Sequence, residues 1–137
     1  MTLRELLVAD EGLSLKLYLD TLGRWTIGYG RCLSTAGISR EEAEMMLDHD
    51  ITRAVNAAAE VVGRDVYGAL NSPRQAALAS MAFQMGRRGL EGFKRMLRAV
   101  RAGDWQTAHD EALASDWAKQ THTRAVKIAG MLLKGEW

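Results

Sequence analysis

The stretch EGLSLKLYLDTLGRWTIGYG, residues 11–30, changes its hydrophobic period within a few residues and decides the kind of fold this chain can have. Leu15, Leu17 and Leu19 alternate with Lys16 and Tyr18, and Trp25, Ile27 and Tyr29 alternate with Thr26 and Gly28. Each run has the period of two that marks a strand. Between them Asp20-Thr21-Leu22-Gly23 puts aspartate first and glycine fourth in a turn, the preferred chemistry of those positions. A β-hairpin is predicted, with a third short strand over residues 31–35.

On either side the period is helical. Leu3, Leu6 and Leu7 followed by Gly12 predict a short helix ending near Glu11. Downstream, Ser39 and Glu42 spell a capping box, and the apolar positions from Ala43 to Val62 then recur every three or four residues. One long helix closing at Gly63 is predicted. Pro73 behind Asn71 and Ser72 opens an apolar helix over residues 75–85. Gly86, Gly89 and Gly92 punctuate the next segment, Gly103-Asp104 separates a helix at 93–101 from one at 105–114, and a last helix closes at Gly135. The architecture is α+β and mostly helical: a small N-terminal hairpin lobe joined by a long helix to a helical C-terminal lobe. The 137 residues are read as a single domain, about 12–62 forming the small lobe with its connecting helix and 1–11 with 63–137 the helical lobe.

Composition narrows the class. Hydrophobic residues at 47% and charged residues at 26% belong to a folded globular chain and exclude disorder. The single cysteine, Cys32, excludes an internal disulfide. Nothing resembling a secretory leader follows Met1, and no run reaches the roughly 18 apolar residues of a membrane span. Synthesis in the cytoplasm without an export signal is expected. Charge is uneven: residues 1–83 carry 8 basic against 11 acidic side chains, residues 84–137 carry 10 against 6. A basic C-terminal half suits an anionic polymer.

Three side chains of the opening stretch form a candidate catalytic set. Glu11 sits at a helix C-terminus, where the helix dipole disfavours an acid by about 0.3–1 kcal/mol. Asp20 alone reads as a turn residue and Thr26 alone as a strand residue. If helix and hairpin deliver all three to one mouth, they supply two carboxyl groups and a hydroxyl, the set that cleavage of a glycosidic bond requires. In an inverting enzyme the carboxyls stand roughly 6.5–9.5 Å apart, with room for a water. His49, His109 and His122 are scattered and show no metal-ligand spacing, so no metal is expected.

The motif E-x8-D-x5-T followed by IGYG resembles the signature of the phage-type lysozymes, the T-even phage endolysin family of muramidases. The resemblance continues through ISREEAEMML, AALASMAFQMG, GFKRMLRAVRAGDW and WAKQTHTRAVKIAGMLLKGEW, covering essentially the whole chain. It implies a two-lobed lysozyme fold and hydrolysis of the β-1,4 bond between N-acetylmuramic acid and N-acetylglucosamine in peptidoglycan, by inversion and without a cofactor. By position it implies Glu11 as general acid, Asp20 as the group that orients or activates water, Thr26 as the holder of that water, and Arg124 as the cation that pairs with the glutamate. Family cleft positions fall on Gly30, Phe83, Gln84, Met85, Gly86, Phe93, Trp117 and Gln120. Of these, Phe83, Met85 and Phe93 occupy apolar helical positions that suit a core, whereas Gln84 offers amide donors to a sugar and Trp117 suits either an indole platform or a core place.

Two departures stand out. Arg31 follows GYG where most of the family carries histidine, and the segment after Leu33 is shorter by about a helix, leaving STAGIS, residues 34–39, to form the rim. As an endolysin the chain would act as a monomer, wait in the host cytoplasm, and reach the periplasmic wall with the help of a holin-type membrane partner. The alternatives are a DNA-binding helical module, since Arg87, Arg88, Lys94, Arg95, Arg98 and Arg101 cluster in sequence, and a lysozyme fold that binds wall without cutting it. Neither nucleic acid binding nor loss of catalysis is expected, because the cations suit anionic wall and all three catalytic positions are filled.

Overall fold

The computed structural model describes residues 1–137, which separate into two compact units, Met1–Met46 and Leu47–Trp137. The first holds α1 (Leu3–Glu11), β1 (Ser14–Leu19), β2 (Trp25–Gly28), β3 (Arg31–Cys32) and α2 (Leu33–Ala36). α3 (Arg40–Val62) carries the chain from one unit into the other. The second continues with α4 (Arg64–Ala69), α5 (Ser72–Glu91), α6 (Lys94–Ala102), α7 (Trp105–Leu113), α8 (Asp116–Gln120) and α9 (His122–Lys134). The mostly helical α+β reading holds.

In the first unit local chemistry sets the boundaries. Thr2 and Glu5 close a capping box: the Glu5 N–H donates to Thr2 Oγ1 at 3.1 Å and the Thr2 N–H to Glu5 Oε2 at 2.7 Å. Gly12, at φ 68°, ends α1 directly after Glu11. The sheet is antiparallel in the order β1-β2-β3. Tyr18 pairs with Thr26, Leu19 with Trp25, and Thr26 in turn with Cys32. The third strand is shorter than the predicted 31–35, because Leu33–Ala36 take one helical turn that Gly37 closes by donating to Leu33 O at 3.1 Å.

Burial in this unit inverts the usual rule. Leu15, Leu17, Leu19, Leu22 and Trp25 are between 49% and 78% exposed, while the polar Thr26 is 3% exposed. Three short strands and two helices are too little chain to enclose an apolar interior. At the start of α3 the predicted capping box forms: the Glu42 N–H donates to Ser39 Oγ at 3.1 Å and the Ser39 N–H to Glu42 Oε1 at 2.9 Å. Glu42 also accepts from Arg31 Nη1 at 2.6 Å. These donors, the Arg31 guanidinium first, hold the Glu42 carboxyl at about 2.

The second unit contains the apolar core. Leu78, Met81, Leu90, Met96, Leu132, Val62 and Val100 are its large enclosed side chains. Ala58, Ala77, Ala108, Ala112, Ala125 and Ala129 are fully buried between them. Side chains this small let helix backbones approach closely, which is how short helices reach interior packing density. α5 is longer than the predicted 75–85. Asn71 caps it by accepting from the Arg74 N–H at 3.2 Å, Pro73 occupies its first turn, and Gly86 at φ 75°, ψ 174° interrupts the helix before it resumes to Glu91. α4 and α8, six and five residues long, have no counterpart in the sequence reading, since a single turn or so carries no measurable period. Arg74 ties α5 to the end of α9, donating from Nε to Leu132 O at 2.9 Å and from Nη2 to Leu133 O at 3.1 Å with its guanidinium 3.9 Å over the Trp105 ring. No helix is long and apolar enough to cross a membrane.

Candidate active site

Glu11 is the last residue of α1 and stands exposed. Its carboxyl lies against the backbone of Gly30: a Cβ built on that glycine would be 2.5 Å from Glu11 Oε2 and 2.9 Å from Cδ. Only a residue without a side chain leaves that space, and Gly30 also holds φ 73°. The structure therefore brings two of the site residues read from sequence into direct contact.

Asp20 and Thr26 are joined through Arg24. Asp20 Oδ1 accepts from the backbone N–H of Arg24 at 2.8 Å and of Leu22 at 2.9 Å, and Oδ2 accepts from Arg24 Nε at 3.0 Å. The Arg24 backbone donor, with smaller help from its side chain and Leu22, holds the Asp20 carboxyl below its ordinary value, so it is ionised and can only accept. Thr26 Oγ1 donates to Arg24 O at 2.9 Å. With its one proton committed, that hydroxyl can take a further hydrogen bond only as an acceptor. A water beside Asp20 and Thr26 would thus have both of its protons drawn away from its lone pairs, the polarity a nucleophile needs. Arg24 is absent from the residues singled out in the sequence; an arginine four places after a turn aspartate was the available signal.

In the second unit Gln84, Met85, Phe93, Trp117 and Gln120 line one groove of about 500 Å³, together with Gly89, Gly92, Ser115 and Asp116. Trp117 is buried and also faces this groove. Its Nε1–H donates to Gln84 Oε1 at 2.9 Å, and its ring meets Phe93 edge-on, centroids 5.9 Å apart at 84°. Phe93 and Met85 pack on the core and line the groove at once. Phe83 does not join them. It is 45% exposed, not a core residue, and with Gly86 lines a different groove between α3 and α5. One helical step of about 100° separates Phe83 from Gln84, enough to turn the two side chains to different faces. Arg124 donates from Nη2 to Ser80 Oγ at 2.9 Å and to Ser80 O at 3.3 Å. Gly89, Gly92, Ser115 and Asp116 complete the groove and were not among the cleft positions expected from sequence.

Residues 8–134 match the family model described as phage lysozyme. The pre-baseplate central spike protein Gp5 of Enterobacteria phage T4 is 34% identical over 98% of this chain, which spans 28% of the length of that relative. Two relatives from Dictyostelium discoideum, probable T4-type lysozyme 2 and probable T4-type lysozyme 1, are 28% and 24% identical, each over 98% of this chain and 95% of their own length.

Proposed function

Because the chain belongs to the phage lysozyme family, a family of glycoside hydrolases, we propose that it is a peptidoglycan muramidase. It hydrolyses the β-1,4 bond between N-acetylmuramic acid and N-acetylglucosamine by inversion. Glu11 is the general acid that protonates the leaving oxygen, Asp20 is the carboxylate that aligns and deprotonates the attacking water, and Thr26 Oγ1 accepts a hydrogen bond from that water's other O–H. The observation that carries this reading is the hold of Arg24 on both Asp20 and Thr26, which leaves an ionised carboxylate and an acceptor hydroxyl bonded to the same residue of the hairpin. Gly30 gives the Glu11 carboxyl its place. The Gln84–Trp117 groove suits a sugar ring and its N-acetyl group, with the Gln84 amide held by the indole N–H. Arg124 serves as the supporting cation.

With host lysis as its role, the enzyme acts as a monomer, accumulates in the host cytoplasm and reaches the periplasmic wall through a holin-type membrane lesion. The 34% identity to a phage spike protein more than three times this length favours a second setting for the same chemistry, in which such a domain opens the wall from a particle. The test is turbidity of outer-membrane-permeabilised Gram-negative cells. Clearing by the native chain and none by Glu11→Gln is expected, with the α-anomer as first product by NMR. Equal clearing by both proteins removes Glu11 as the acid, and a β-anomer removes inversion.

A further inference from the structure

Successive cross-strand pairs of a hairpin turn to opposite faces of the sheet, and here the polar pair is the covered one. Tyr18 stands across from Thr26, which is buried, whereas the next pair, Leu19 and Trp25, leaves both side chains about half exposed. Leu13, Leu15 and Leu17 on the approach and Leu22 at the turn are open to a similar or greater extent. One short strand–turn–strand stretch therefore shows five leucines and a tryptophan to solvent. Apolar residues exposed singly are ordinary, but such a concentration marks a contact surface. Charge is sorted in step with it. Between Gly12 and Ser39 the chain holds Lys16, Arg24 and Arg31 against one carboxylate, Asp20. That carboxylate is masked, since Oδ1 accepts from the backbone N–H groups of Leu22 and Arg24 and Oδ2 accepts from Arg24 Nε. Lys16, between Leu15 and Leu17, takes part in no ion pair. The other acids of the unit lie on α1, as Glu5, Asp10 and Glu11, and at the start of α3, as Glu41, Glu42 and Glu44.

We propose that this apolar surface of the hairpin docks into the boundary between headgroups and acyl chains of an anionic phospholipid bilayer. Leu15, Leu19 and Leu22 enter the apolar layer, Trp25 sits at the boundary, and Lys16 reaches the lipid phosphates. Leucines with a tryptophan on the apolar side and cations at the rim are the composition that seats amphipathic segments in a bilayer interface. An indole, apolar with one N–H, prefers that boundary, and a lysine can lay its stem along apolar surface while its ammonium stays among headgroups. The masking of Asp20 removes the one charge of the stretch that anionic lipid would repel. A protein partner fits the surface less well, because binding energy between proteins concentrates in tryptophan, tyrosine and arginine, and leucine is under-represented there. The docking requires no reaction and is independent of the muramidase reading.

The experiment is co-sedimentation of the whole chain with vesicles of phosphatidylethanolamine and phosphatidylglycerol, compared with vesicles of phosphatidylcholine alone. The native chain binds the anionic vesicles and binds the neutral ones several-fold more weakly. Leu15→Gln combined with Leu22→Gln lowers binding to anionic vesicles about tenfold or more, since each leucine withdraws several carbons from the apolar layer. A second readout needs no change at the leucines: anionic vesicles with brominated acyl chains quench the tryptophan emission of the native chain. Trp25→Phe removes that quenching although Trp105, Trp117 and Trp137 remain. Failure to bind anionic vesicles overturns the proposal, as do equal binding to neutral ones and equal binding of the double-leucine variant. Quenching that survives Trp25→Phe places the contact elsewhere on the chain and overturns it too. A lipid-free dimer in sedimentation velocity that the leucine substitutions dissociate reassigns the surface to a second copy, with the same consequence.

Discussion

The Glu11 carboxyl occupies the space that any side chain at position 30 would need, its Oε2 lying 2.5 Å from a Cβ built on Gly30. Gly30→Ala therefore acts on the site twice, by strain at φ 73° worth about 1–2 kcal/mol and by pushing the acid out of place. Gly103→Ala is the control, since Gly103 has φ 70° and nothing within 4 Å of its would-be Cβ. Both variants should lose similar stability in a thermal melt. Only Gly30→Ala should lose wall-clearing activity at least tenfold, since one misplaced angstrom costs a catalytic group about a hundredfold. Equal activity losses would mean that the backbone alone matters at position 30.

Arg24 is the group on which the proposed water site turns. Arg24→Ala removes the Nε donor to Asp20 Oδ2 and leaves the backbone bonds at Asp20 and Thr26 in place. The ion pair is exposed, so stability should change by less than about 1 kcal/mol. The Arg24 side chain is one of the groups lowering the Asp20 carboxyl, so its loss moves protonation of Asp20 to higher pH. The acid limb of the pH–rate profile should shift upward, with a several-fold loss at neutral pH. An unmoved acid limb would take Asp20 out of the role of base.

Arg31, standing where the family pattern has histidine, has acquired a structural duty. Its guanidinium, with Ser39, holds Glu42 at about 2 against the usual 4.5. A carboxyl depressed on folding contributes stability that is whole above 4.5 and is lost as pH falls through that interval towards 2. Thermal melts of the native chain and Glu42→Gln should differ most at neutral pH and converge as pH approaches 2. A difference that stays constant across that window would mean Glu42 acts only as a cap.

How much of this was legible depended on whether the cause was local. The hairpin turn, the Ser39–Glu42 box and the ends of α1, α3 and α9 rest on residues a few places apart, and periodicity exposed them; the proposed catalytic set was named from a motif of the same short stretch. The third strand failed because an edge strand competes with a helical turn on tertiary terms, and here Gly37 closes the turn. α5 was ended too early because Gly86 interrupts the helix without terminating it. Phe83 looked like core because its period is right, yet it is exposed while its neighbour Gln84 meets an indole 33 residues away. Pairings of that span leave no trace in local pattern, and the same is true of Glu11 against Gly30.

The bond from Trp117 Nε1 to Gln84 Oε1 makes a buried ring the support of an exposed amide. Trp117→Phe removes the donor and leaves an aromatic ring that can still meet Phe93 on edge; water can satisfy Gln84, so the stability cost should be of order 1 kcal/mol. Gln84→Ala should cost less stability and raise KM for the wall substrate more, since it removes the amide itself. If the amide works only in the orientation the indole gives it, the two substitutions share one effect, and the double variant should fall short of their sum by about 0.5–3 kcal/mol in kcat/KM. Strict additivity would mean that Gln84 and Trp117 serve the groove independently and that the hydrogen bond between them contributes to the fold alone.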